Sequence, residues 1–230
     1  MQNNISQLFK KSLRKFYVPL LILLVCCQII LAQEKTSAGV AGEKETRPLS
    51  FAIVVDNSAS FRMAMDYVIT TTQAIAAEMG PGDEASLVRF IGKDKIEITQ
   101  DLTANKNALI AAADDMYVEG GQTAVPEALL FSAQDLLKTG KNERKILLLI
   151  TDGDSKSDKK VYAEAVSFLK EKKIPVFIVG ITMLLEGNTR EAKKFLERVA
   201  DDTGGTVVFV DNTARPAETA AAIMKAVRAR

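Results

Sequence analysis

Three oxygen-bearing side chains stand at alternate positions in Asp56-Asn57-Ser58-Ala59-Ser60, directly behind the apolar stretch 49–55 (LSFAIVV). A carboxylate and two hydroxyls on one tight loop are a donor set for a hard cation such as Mg²⁺, which takes oxygen ligands in near-octahedral geometry. A second apolar stretch, 145–150 (KILLLI), ends in Thr151-Asp152-Gly153-Asp154. If the two stretches are neighbouring strands, Asp152 projects into the same crevice as Asp56. Between them in the chain lies Gly120-Gly121-Gln122-Thr123. Its glycines permit a close backbone turn, and Thr123 offers one more hydroxyl. Hydroxyls are short neutral ligands, so a cation held by them and by two acids keeps much of its positive charge.

Each piece also has a plainer reading. Asp, Asn and Ser cap helices, and a helix is expected after Ser60. Asp-Gly is turn chemistry. The cation reading draws its force from the three pieces occurring together and in order.

The elements that must position these groups follow from periodicity. Residues 61–79 carry Met65, Val68, Thr72, Ile75 and Met79 on one helical stripe, stopped by Gly80-Pro81-Gly82. Residues 85–91 read as a strand, and 95–100 alternate polar and apolar as a half-exposed edge strand does. Residues 92–94 make a hairpin-sized turn between them. Helical patterns follow at 105–116, 126–137, 159–172, 189–200 and 214–230, with strands at 145–150, 174–179 and 206–210. Continuous apolar strands separated by helices imply a parallel sheet covered on both faces. The expected fold is α/β and doubly wound, with about six mostly parallel strands and one antiparallel edge strand. No internal repeat and no second globular domain are expected.

Strand–DxSxS, then GG-x-T, then strand–TDG resembles the von Willebrand factor type A family and its metal-ion-dependent adhesion site. The resemblance spans about residues 49–230. It implies a Rossmann-like fold in which Ser58, Ser60 and Thr123 supply hydroxyl oxygens to Mg²⁺, or to Mn²⁺ or Ca²⁺. Asp56 and Asp152 would act directly or through waters and the serines. A vacant coordination position would accept Asp or Glu from a partner protein, in adhesion or complex assembly. Three positions depart from the commoner pattern: Ala59 between the serines, Phe61 after them, and Gln122 inside GG-x-T.

The alternative is a metal-dependent phosphoryl-transfer hydrolase of haloacid dehalogenase-like type. Such an enzyme needs a second acid two residues after its nucleophilic aspartate, and here that position is Ser58. The chain has no histidine, which removes Ser-His-Asp and Cys-His catalysis and most acid–base chemistry near neutral pH. A binding module without turnover is the expected class.

Composition bounds the rest. Apolar residues make up 47% and charged residues 26%, as in globular chains. Lys and Arg total 30 against 29 for Asp and Glu, which argues against a nucleic-acid partner. The only cysteines, Cys26 and Cys27, lie in an N-terminal apolar stretch, so the body carries no disulfide and no thiolate metal site. Lys10, Lys11, Arg14 and Lys15 precede that stretch, residues 18–32. Charge followed by a short apolar core is the layout of a signal peptide, cleaved after Ala32, or of an uncleaved membrane anchor. Residues 1–32 are expected to be this signal or anchor and 33–48 a flexible linker, with 49–230 the domain. The location would be secreted, periplasmic or at the cell surface. The runs 138–145 and 170–173 are lysine-rich and suit solvated helix ends.

Overall fold

A computed structural model describes residues 47–121, 123–155, 157–182, 189–210 and 214–230. The expected signal or anchor, most of the expected linker, and Gln122 lie outside the described residues. Residues Arg47–Arg230 form one compact unit.

The six strands are β1 (Leu49–Asp56), β2 (Glu84–Gly92), β3 (Lys95–Thr103), β4 (Arg144–Thr151), β5 (Val176–Gly180) and β6 (Thr206–Phe209). Their order in the sheet is β3-β2-β1-β4-β5-β6. Only β3 runs antiparallel, paired with β2. The six helices are α1 (Met65–Ala77), α2 (Lys106–Asp114), α3 (Val125–Thr139), α4 (Lys159–Lys172), α5 (Thr189–Thr203) and α6 (Pro216–Arg228). The sheet thus matches the expected class. No helix among the described residues is long and apolar enough to cross a membrane.

Strand alternation divides the core in two. Phe51, Ile53 and Val55 of β1 pack with residues of α1, α2 and α6 on one face. Ala52 and Val54 pack with residues of α3, α4 and α5 on the other. β1 is buried along its whole length because both faces and both edges are covered. Both cores lie within the compact unit.

The winding reverses at β1. The chain goes from β1 to β2 on one side, then returns to place β4 on the other, with Val55 opposite Ile150. Ligands bind at such a switch point, outside the carboxyl ends of the strands.

The element boundaries differ from expectation in one informative place. The helix expected from residue 61 is interrupted, with a 3₁₀ turn over Ala59–Met63 and α1 beginning only at Met65. Ala64 between them sits at φ −125°, ψ 7°, which breaks the helical path. Phe61 is fully buried in the first core, so the turn is anchored from beneath while the serines stay above it.

At the opposite edge, Asp83 ties three elements together. Its carboxylate accepts from the backbone N–H of Leu49 at 2.8 Å and of Gly80 at 2.7 Å, and pairs with Arg228 at the end of α6. The carboxylate is fully buried. Breaking one partner of a buried ion pair typically costs about 3–5 kcal/mol because the other charge is left uncompensated. Asp83→Ala is therefore expected to lower stability by about 3 kcal/mol in urea unfolding. A loss below about 1 kcal/mol, typical of an exposed pair, would show that the latch does not hold β1 and α6.

Candidate functional site

The two motif strands are neighbours, and their ends meet. Asp56 closes β1 and is wholly buried. Its Oδ1 accepts from the Ser58 N–H at 3.0 Å, and its Oδ2 accepts from the Thr151 hydroxyl at 2.7 Å. Thr151 is the last residue of β4. The Thr151 hydroxyl also accepts from the Gly153 N–H at 3.2 Å, so it clamps the β1 loop and the β4 loop together.

Asp152 is equally buried. Its Oδ1 accepts from the Asp154 N–H at 2.9 Å, whereas its Oδ2 is buried with no partner among the described residues. An unpartnered buried carboxylate oxygen carries a large desolvation cost. The charge of Asp152 and, above all, burial raise Asp56 from the usual 3.8 to about 7, against the lowering pull of its bonds to Thr151 and Ser58. Two adjacent acids without a cation resist ionising together.

Ser58 occupies the N-cap position of the 3₁₀ turn, yet its side chain makes no capping bond. Its hydroxyl instead lies 3.0 Å from the Ser60 hydroxyl. The capping role open to these serines is thus not taken up, and the two oxygens converge. Thr123 is buried. It opens the loop leading into α3, beside a cleft of about 360 Å³ lined in part by Lys93, Lys95, Gly121 and Glu127.

Two residues missed as individual contributors by sequence reasoning hold this arrangement. Thr151 was visible only as part of a turn motif. Asn57 sits between the acid and the first serine. Its Nδ2 donates to the Tyr117 carbonyl at 2.8 Å, and its own carbonyl accepts from Glu119 N–H at 3.0 Å. Asn57 therefore ties the loop before Gly120 to the loop after β1. Arg89 adds a brace, with its guanidinium 4.9 Å from the Tyr117 ring centre and 3.8 Å from Glu119. Once β1 and β4 are taken as neighbours, the position of Thr151 at the strand end is a usable signal. For Asn57 the only signal was its place inside the motif.

Two glycines are required by close approach. Gly153 has φ +83°, and a Cβ there would stand 2.9 Å from Leu196 Cγ. At Gly121 a Cβ would stand 2.1 Å from Ile91 Cγ2. Only glycine lets these loops lie against α5 and β2.

Among the described residues no group of three or more His, Cys, Asp or Glu could hold a metal. The donor set here is of another kind, two acids with hydroxyls. It fits a divalent cation on three grounds: the orphaned Asp152 oxygen, the raised Asp56 and the converging serine hydroxyls.

A doubly wound sheet whose switch point carries DxSxS, a GG-x-T loop and TDG defines a recognisable class. The sequence profile of the von Willebrand factor type A domain matches residues 51–221. The chain belongs to that family. No curated protein matches it. Among solved structures it is similar to an aerotolerance-related membrane protein from Bacteroides fragilis, at TM-score 0.63 and 17% identity over 79% of this chain and 100% of that one. It is also similar to the conserved hypothetical protein BatB from Bacteroides thetaiotaomicron, at TM-score 0.64 and 19% identity over 78% of this chain and 97% of that one. A von Willebrand factor type A protein from Catenulispora acidiphila gives TM-score 0.64 and 22% identity, over 78% of this chain but 42% of that one. At these identities the likenesses speak to the fold alone.

The buried acid has a pH consequence in chelator. Folded Asp56 keeps its proton up to about pH 7, whereas an unfolded aspartate loses it near 3.8. The native state binds the extra proton between those values, so this carboxyl makes the fold less stable as pH rises through that window. Relative to Asp56→Asn, the parent is expected to lose roughly 2–3 kcal/mol between about pH 5 and pH 8 in urea titrations. A difference that stays flat across this range would show that Asp56 is already ionised in the metal-free fold.

Proposed function

We propose that the chain is a binding module that holds one divalent cation through Asp56, Ser58, Ser60, Thr123 and Asp152, and through it grips a carboxylate on a partner protein. The observation that carries this reading is the buried, unpartnered Asp152 oxygen beside a protonation-prone Asp56. A cation neutralises both acids at once. When bound, it supplies a Lewis-acidic position for an outside oxygen. The protein's own part is to orient the donors: Thr151 and the Ser58 N–H hold Asp56, and Asn57 holds the loop that leads to Thr123. Mg²⁺ or Mn²⁺ suits this small set of short ligands; Ca²⁺ is the looser alternative.

Hydrolysis of a phosphate is the weaker reading. Ser58 stands where the general acid would be needed, and its hydroxyl is engaged with Ser60. The module works outside the cell or at its surface, with residues 1–32 as signal or as anchor. That the similar Bacteroides fragilis protein is described as a membrane protein is in keeping with this location.

The test is calorimetry with Mg²⁺ and Mn²⁺ on residues 33–230, followed by water-proton relaxation of the Mn²⁺ form. One site is expected, weakened by at least about tenfold in Ser58→Ala/Ser60→Ala with the circular dichroism unchanged, an effect of about 1.4 kcal/mol or more. Added glutamate is expected to displace metal-bound water and lower the relaxivity. A well-folded parent that binds no metal would sink the reading. Metal binding with relaxivity indifferent to glutamate would leave a structural ion and remove the carboxylate grip.

A further inference from the structure

We propose that the edge of the domain opposite the cation site is a docking surface for anionic lipid headgroups. The five parallel strands all begin at this edge, and α1, α3, α4 and α5, running back between strands, end there, as α6 does; α2 alone of the described helices begins there, because it follows the antiparallel β3. Lys170, Lys172 and Lys173 close α4, Lys141 follows α3, and Lys225 and Arg230 close α6; all are exposed. Of these, only Lys172 has an ion-pair partner among the described residues, its neighbour Glu171. The exposed acids of the same edge are fewer: Glu78, Asp101, Glu143, Glu171 and Asp201.

The centre of this edge holds both signs: Arg144 and Arg228, with the buried acids Asp83 and Glu84, the second of which feels the charge of Lys141. Arg144 and Arg228 lie together with Asp83 as the carboxylate near both. Burial and then the charge of Arg228 push the Arg144 guanidinium down, with Asp83 pulling the other way. Beside Arg144 a cleft of about 430 Å³ is lined by Arg47, Pro48, Asn142 and Glu143.

Bases in a last helical turn also complement the helix dipole. That accounts for Lys170, Lys172 and Lys225. It does not account for Arg47, Lys141 and Arg144, which lie outside helices on the same edge. A lipid surface is favoured over nucleic acid by chain order. β1 receives the chain at this edge, and residues 33–48 alone separate it from the apolar stretch 18–32. A segment retained in a bilayer would therefore lead into the domain at this edge rather than at the cation site. Basic groups near an anionic bilayer each add several-fold to binding, and the attraction fades within a Debye length, about 10 Å at 0.1 M salt.

The probe is co-sedimentation of residues 33–230 with vesicles of phosphatidylglycerol in phosphatidylcholine. Binding is expected at about 0.1 M salt, absent from pure phosphatidylcholine and lost at about 1 M. Lys141→Glu/Lys172→Glu/Lys225→Glu is expected to weaken it by about tenfold or more. Lys159→Glu/Lys160→Glu/Arg190→Glu changes net charge equally at the cation-site edge and is expected to have far less effect. Chelation of metal is expected to change nothing, which keeps this result separate from the fate of the cation site. No vesicle binding by the parent, or equal loss in both variants, overturns the proposal. Retention on duplex DNA without vesicle binding would assign the surface to nucleic acid instead.

Discussion

Two buried carboxylates share the crevice between β1 and β4, and their burial side by side without a counter-charge is the constraint around which the site is organised. Among the described residues Asp56 is met by the Thr151 hydroxyl and by Ser58, and Asp152 by the backbone N–H of Asp154. None of these brings a positive charge. Burial denies both acids water, so the metal-free fold keeps a proton where an exposed aspartate would lose it. The surrounding features follow from holding this unfavourable pair in place. β1 is covered on every side, Phe61 anchors the serine turn from below, and glycines let two loops approach where a side chain would collide. The strain is tolerable because both cores reach the sheet on either face of the pair.

Much of this was legible in the chain because it is written in local patterns. The buried strands are unbroken apolar runs, and β3 reads as an edge because polar and apolar residues alternate in it. Four of the five candidate ligands, Asp56, Ser58, Ser60 and Asp152, stand in short motifs at strand ends, and Thr123 stands in a glycine-led loop before α3. What escaped was the set of bonds between residues far apart in sequence. Thr151 meets Asp56 across 95 positions, and Asn57 meets Tyr117 across 60. No periodicity announces such contacts. They emerge only once the sheet order makes β1 and β4 adjacent. The late start of α1 escaped for a related reason: the stripe from Met65 onward is helical, but the residues before it obey the loop rather than the stripe.

Overall charge shows the limit of composition from another side. Totals of 30 and 29 describe a neutral molecule. The alternation of strand and helix then sorts that charge. Helices α1, α3, α4, α5 and α6 start at the edge that bears Asp56 and Asp152 and end at the edge that bears Lys141, Lys172 and Lys225, while α2, which follows the antiparallel β3, runs the other way. A neutral sum therefore conceals an oriented body, with the buried acids Asp56 and Asp152 at one edge and most of the helix-end lysines at the other.

The central position of β1 has a consequence for how the domain is made. It precedes the other described strands in the chain, yet the partner on its second edge, β4, begins only at Arg144. Until then the nascent chain can assemble β1, β2 and β3 but must leave a fully apolar edge unpaired, which is a template for unwanted pairing. The site and the finished sheet therefore come into being in the same late event. A chain arrested or cleaved before that point lacks Thr151 and Asp152, and it presents an unpaired strand edge in place of the finished crevice.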